Sequence, residues 1–144
     1  MEIEIINALT RWNDEGILSG HYIPTSGSVS LNEKRIIVPT DFVELYKKSD
    51  GTSDYDSEGF RFYKHGELTT MENKFALNVN SPLKEIVIFA DYMQESCWYG
   101  FRINTNGYEI GLIPEANRFK VLCNSLYEFL NLYLTDSPHL YDYN

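Results

Sequence analysis

Ile36-Ile37-Val38-Pro39-Thr40-Asp41-Phe42-Val43-Glu44-Leu45-Tyr46-Lys47-Lys48-Ser49-Asp50-Gly51 is the stretch that decides the fold. An apolar run halts at Pro39, whose ring keeps the preceding residue extended and out of a helix. Thr40 is placed to cap the first turn, and Asp41 and Glu44 suit the positive end of the helix dipole. Phe42, Leu45, Tyr46 and Ser49 recur at helical spacing, which predicts one buried face. Lys47 and Lys48 fall in the last turn, and Gly51 is free to take the left-handed conformation that closes it.

Upstream, Ile5, Ala8, Leu9 and Trp12 share one helical stripe and predict a short amphipathic helix from Glu2 to about Trp12. The Gly/Ser/Thr-rich stretch from Asn13 to Val29 reads as a loop, and Leu31 to Lys34 as a helical turn. Downstream the period changes to two. Phe60 and Phe62 alternate with Arg61 and Tyr63, as in a strand; His65-Gly66 turns the chain, and Glu67 to Met71 returns as a second strand. Met71 to Pro82 reads as irregular. Ile86-Val87-Ile88-Phe89-Ala90 is the continuous apolar run of a central strand buried on both faces. Trp98–Asn104 and Tyr108–Ile113 make a hairpin across Thr105-Asn106-Gly107, since Asn-Gly tolerates positive φ. A short strand follows over Arg118–Leu122. Leu126, Phe129, Leu130, Tyr133 and Leu134 then form the clearest helical stripe, opened by a capping box at Ser125 and Glu128. Strands grouped between helices indicate an α+β fold, a central antiparallel sheet with helices packed on one side.

The whole chain, 1–144, fits a single domain: 144 residues with 43% hydrophobic content suffice for one core. Twelve Lys and Arg against 21 Asp and Glu give a formal charge of −9, and the cations are scattered. That balance argues against nucleic acid and anionic membrane as partners and in favour of cationic ones. Eleven tyrosines suit half-buried sheet faces or binding surfaces. No apolar run reaches the length of a membrane span, and Met1-Glu2-Ile3-Glu4 is acidic where a signal peptide is basic. Cys97 and Cys123 form no Cys-x-x-Cys pair and read as reduced, partly buried thiols of a cytoplasmic protein.

Three pieces, in this order, resemble the SUKH superfamily, the Smi/Knr-like proteins common in bacteria. They are the apolar-Pro-x-Asp-aromatic helix that ends in Asp50-Gly51, the strand Ile86–Ala90 with Asp91-Tyr92 and the Trp98–Ile113 hairpin, and the closing helix Ser125–Leu134. Together they span about three quarters of the chain. Two departures stand out: Thr52 follows Gly51 where many members carry a second glycine, and the loop from Gly16 to Gly27 matches no family pattern. The resemblance implies a bacterial immunity protein that binds and neutralises a cognate toxin domain, often a nuclease, by stoichiometric occlusion, with neither enzymatic activity nor a cofactor. A regulatory or scaffold protein of the Smi/Knr type, without a toxin partner, is the alternative it leaves open. The family carries no shared catalytic residues to transfer, and its binding surface varies with the toxin.

Two acidic segments are the candidate toxin-binding residues. Asp54, Asp56, Glu58 and Gly59 start like a calcium loop, but His65 stands where a bidentate Glu belongs and Arg61 at the hydrophobic eighth position. No calcium site is expected there; the loop is either simply solvated or a contact patch for a basic partner, which acidic groups attract and steer. The tail brings Asp136, Tyr141, Asp142 and Tyr143, tyrosines mixed with acids, which suits either interface anchors or a terminus folded back on the domain. His21, His65 and His139 are too scattered for zinc, and Cys97 has no histidine near it in sequence to make it a nucleophile.

Overall fold

The computed structural model describes residues 2–24, 27–31 and 34–144. Helix α1 (Ile3–Asp14) buries Ile5, Ala8 and Trp12, the stripe its spacing predicts. Strands β1 (Ser28–Leu31) and β2 (Lys34–Ile37) then pair antiparallel, with Leu31 opposite Lys34. This corrects the expected loop up to Val29 and the helical turn over Leu31–Lys34. Val29 lies across from Ile36 and both are buried, so the strand pairing satisfies core contacts that a helical turn would not. Residues 32–33 of the expected turn lie outside the described residues.

Helix α2 (Thr40–Tyr46) begins one residue earlier than its cap signal indicated. Pro39 occupies the N-cap position, Thr40 is already helical, and no side chain caps the first turn. Asp41 instead spends its carboxylate on a long-range contact described below. Beyond the helix, Ser49 is buried and its hydroxyl donates to the Gly51 carbonyl while accepting the Ser19 amide. Gly51 has φ +67°, and a Cβ there would stand 2.5 Å from the Tyr63 carbonyl oxygen, so both its backbone freedom and its missing side chain are required.

The main sheet is antiparallel throughout. Strands β3 (Phe60–Phe62) and β4 (Thr69–Thr70) share one edge of β5 (Val87–Tyr92), which is followed in order by β6 (Cys97–Asn104), β7 (Gly107–Ile113) and β8 (Lys120–Cys123). The second strand expected over Glu67–Met71 shrinks to Thr69–Thr70 and pairs with β5 rather than folding back on β3, after a 3-10 turn at His65–Glu67. The stretch expected to be irregular holds helix α3 (Met71–Phe75), capped by the Thr70 hydroxyl on the Asn73 amide and closed by Ala76 at φ +51°. The β6–β7 hairpin turns on Thr105-Asn106, with Gly107 already paired to Asn104. Helix α4 (Leu126–Leu134) has half of the predicted box: Ser125 Oγ accepts the Glu128 amide, but Glu128 Oε2 accepts from Ser125 Oγ and the Asn124 amide rather than from the Ser125 amide.

Both faces of the sheet are covered, but unequally. Phe42 of α2 and Phe129 of α4 each stack edge-on to Phe89 at 5.0 and 5.2 Å, and Trp12 of α1 lies 5.0 Å from Phe62. Each such ring contributes roughly 1.5–3 kcal/mol on leaving water. Helix α3 lies on the opposite face, where Phe75 packs edge-on to Trp98 at 5.0 Å. Trp98 and Tyr99 alternate along β6, and Tyr99 meets Phe129. Among the described residues, three helices on one face and one short helix on the other therefore replace the one-sided packing expected from sequence. The fold is α+β. Among the described residues no helix is long and apolar enough to cross a membrane.

Candidate functional site

The loop released by Gly51 is pinned rather than loose. Leu18 bridges Thr52, the Ser53 amide donates to Ile17, and both the amide and the hydroxyl of Ser57 donate to the Glu15 carboxylate at the end of α1. Asp56 is the centre of this attachment. Its Oδ1 accepts the amides of Glu58 and Phe60 at 2.9 and 3.0 Å, and its Oδ2 accepts the Tyr133 hydroxyl, which in turn accepts the Trp12 indole N–H at 3.0 Å. Arg11 completes the group, 3.8 Å from Asp56 Oδ2 and stacked over the Tyr133 ring. Burial, and then the bond to Asp56, push the Tyr133 hydroxyl to ionise far above its ordinary range. Asp56 is 7% exposed, so this candidate contact residue serves as the internal staple of the loop, and its neighbours form the surface.

Asp54 and Glu58 are exposed on that loop. Glu58 faces the end of the chain. After α4 a 3-10 turn, Pro138–Tyr141, is capped by Ser137 and lays Tyr141 against Tyr92 at 4.8 Å and Phe60 at 6.2 Å. The Tyr141 hydroxyl donates to Asp136. Burial first, then the bond to Asp136, then Tyr92 and Glu58, raise the ionisation of Tyr141. Burial, Asp136 and Glu58 likewise raise that of Tyr92. Glu58, Asp136 and Tyr141, far apart in sequence, thus meet around Tyr92. Asp142 does not join them. It pairs with Lys120 at 2.9 Å, which together with the Asn144 amide holds its carboxyl below the usual range.

The turn between β5 and β6 supplies the remaining piece, which sequence reasoning missed. Met93, Gln94 and Glu95 have φ +51°, +54° and +68°, three consecutive left-handed residues without a glycine. Each such residue is disfavoured by roughly 1–2 kcal/mol, so the neighbourhood must hold the turn. Glu95 takes Lys74 and the Trp98 indole, Asp91 Oδ1 accepts the Glu95 amide, Ser96 Oγ donates to Met93, and the Met93 amide donates to Gly59 of the acidic loop. The turn keeps Met93 54% exposed beside Gly59, where a Cβ would meet the Met93 sulfur at 2.8 Å. The only local signal was the polar Gln94-Glu95-Ser96 run between two apolar strands.

The result is a tyrosine and methionine patch edged by carboxylates. Arg11, beside the loop, is already engaged by Asp56, Glu15 and Glu58. Cations gather elsewhere. Arg35, Lys84 and Arg102 line a groove of about 550 Å³ between the β1–β2 hairpin and the main sheet, along with Glu72 and Glu85. Among the described residues no three His, Cys, Asp or Glu side chains gather in an arrangement that could hold a metal ion. Cys97 and Cys123 are free thiols, both buried; burial pushes Cys123 up to about 12 and Cys97 above its ordinary value. Aromatic residues and Met are what protein interfaces are enriched in. Comparison with family models, with curated proteins and with solved structures finds no match to this chain.

Proposed function

We propose that this chain is a cytoplasmic immunity protein of the SUKH type, which binds a basic toxin domain and blocks it by occlusion, without turnover. The observation that carries the proposal is the patch around Tyr92: Met93 and Tyr141 at its centre, Glu58 and Asp136 at its edge, Asp54 further along the same loop. A nuclease holds a polyanion and so presents cations. An acidic inhibitor meets it with fast, steered association, and the exposed Met93 with the half-buried rings of Tyr92 and Tyr141 supplies the desolvated centre. The order of elements, a Pro-initiated helix, antiparallel strands and a closing amphipathic helix, supports the same family resemblance.

The test is to read the neighbouring genes for a large polypeptide with a nuclease-like C-terminal domain and to co-express that domain with this chain. Growth rescue and a one-to-one complex are expected. Reversing charge with Glu58→Lys and Asp136→Lys should slow association at low salt by about tenfold and flatten its salt dependence. Asp56 is left out of the reversal because it holds the fold. Absence of both rescue and binding with the unmodified chain would overturn the proposal.

A further inference from the structure

Strand β6 carries a second surface, at the opposite end from the Tyr92 patch. The groove of about 550 Å³ between the β1–β2 hairpin and the main sheet is lined by three consecutive residues of β2, Arg35-Ile36-Ile37, and three of β6, Phe101-Arg102-Ile103. Successive side chains of a strand point to opposite faces, so a groove that meets three in a row runs along the edge of the strand and not over one face. Both edges are unpaired there. Among the described residues β2 pairs only with β1, and β5 begins at Val87, opposite Phe101, which leaves Arg102–Asn104 with β7 on one side only.

The alternation of an antiparallel ladder decides which backbone groups face the groove. The Val38 amide donates to the Gly27 carbonyl, one step beyond the Ser28–Ile37 pair. Ile36 and Lys34 are therefore the residues that bond to β1, and Arg35 and Ile37 turn their N–H and C=O groups away from it. On β6 the two-residue turn closes on the bonded pair Asn104 and Gly107, so Arg102 also bonds to β7 and Ile103 turns outward. Ile37 is 64% and Ile103 45% exposed, so a ligand reaches both from solvent.

We infer that this groove takes an extended, acidic segment of a partner protein as an added strand, bonded through its backbone to the outward groups of β2 on one side and of β6 on the other. Ile37 and Ile103 meet apolar side chains of the segment. Charge selects the rest. Arg35, Lys84 and Arg102 outnumber Glu72 and Glu85 in the groove, the reverse of the balance over the whole chain, 12 cations to 21 acids. Lys84 is held by the Val79 carbonyl and Arg102 by Glu109, whereas Arg35 is exposed and makes no ion pair among the described residues. Arg35 lies on the same side of β2 as Ile37, so the segment carries a carboxylate two residues from an apolar side chain. The inference does not depend on toxin binding at the Tyr92 patch.

The experiment is an amide-resolved NMR titration of the full chain, with hydrogen exchange, using the blocked peptide acetyl-Val-Thr-Glu-Thr-Val-amide, whose valines and glutamate share one face. Saturable shifts at Arg35, Ile37 and Ile103 are expected. Exchange at those three amides should slow, while Ile36 and Arg102, already bonded within the sheets, keep their rates. N-methylation of both threonines removes the donors from one edge of the peptide and should weaken binding about tenfold. Glutamine in place of the glutamate should weaken it about threefold, and Arg35→Gln, at an exposed position, should bring the two peptides level. No saturable shifts, equal binding of the N-methylated peptide, shifts without the alternating protection, or a glutamate preference that survives Arg35→Gln would overturn the inference. So would concentration-dependent broadening at Ile37 and Ile103 without peptide, which would make a second copy of the chain the occupant.

Discussion

Asp56 and Asp91 are both buried aspartates, one on each face of the sheet, and they are used in opposite ways. On the face covered by α1, α2 and α4, Asp56 has both oxygens occupied by amide and hydroxyl donors. Asp41 repeats the pattern: Phe42 donates its amide to Oδ1, and the Tyr108 hydroxyl and the Leu126 amide donate to Oδ2, which ties α2 to β7 and to the start of α4. On the other face Asp91 is 0% exposed, yet its Oδ2 makes no well-formed hydrogen bond: the Arg61 guanidinium stands 3.5 Å away and the hydroxyls of Tyr55 and Tyr63 lie near it. Arg61 is itself engaged elsewhere, bonded to Glu67 at 2.7 Å and stacked with the rings of Tyr55 and Tyr63. A satisfied buried carboxylate staples distant segments together. A half-satisfied one shapes a local turn, here through the Glu95 amide, and adds little to global stability.

The largest effect separates the two directly. Asp56→Asn places an amide N–H₂ where the Tyr133 hydroxyl and Arg11 both point donors, and should destabilise the fold by about 2–4 kcal/mol in urea unfolding followed by circular dichroism. Asp91→Asn in the same assay should change stability by about 1 kcal/mol or less, because the oxygen it replaces makes only long contacts with the donors around it. Equal losses would erase the distinction between the faces. A smaller effect tests the Asp41 clasp: Tyr108→Phe removes a hydroxyl that donates to Asp41 and accepts the Leu126 amide. It should lower stability by roughly 1–2 kcal/mol and speed amide exchange at Leu126 more than at Glu95; uniform exchange would show that Tyr108 acts only through its ring.

The smallest effect concerns the far-face turn. Hydrogen bonds from Lys74 and the Trp98 indole hold the Glu95 carboxyl below the usual range. A depressed folded value stabilises the protein above the unfolded value, near 4.3, and that stabilisation is lost as pH falls through the folded value. Lys74→Met should therefore raise the Glu95 midpoint toward about 4.3 in a carboxyl-carbon NMR titration and weaken the loss of stability below that pH. An unchanged midpoint would assign the depression to Trp98 alone.

These contrasts also mark what the sequence reveals. Ser125 with Glu128, and Gly51, are local signals: each acts on residues within a few positions or on its own backbone, so reading them required no tertiary knowledge. The β1–β2 hairpin escaped because Ser28-Val29-Ser30-Leu31 looks like the polar loop before it until Ile36 is brought opposite Val29. Helix α3 escaped because its stop is Ala76 in a left-handed conformation and not a glycine. The candidate site was legible in composition but not in role. Asp54, Asp56 and Glu58 are indistinguishable in the sequence, and Asp56 differs only because Tyr133, 77 residues later, delivers a hydroxyl to it. Met93 gave no signal, since its prominence comes from a backbone conformation held by Lys74, Trp98 and Asp91.

The two tryptophans fall on opposite sides of this division. Trp12 is wholly buried and bonded to Tyr133 at the staple of the acidic loop, whereas Trp98 lies on the far face between Phe75, Glu95 and Lys74. The chain therefore carries its own pair of optical reporters. Replacing one tryptophan at a time by phenylalanine leaves a fluorescence signal for a single face, and coincidence of the two melting curves measures whether the sheet transmits unfolding from one face to the other as a single cooperative unit.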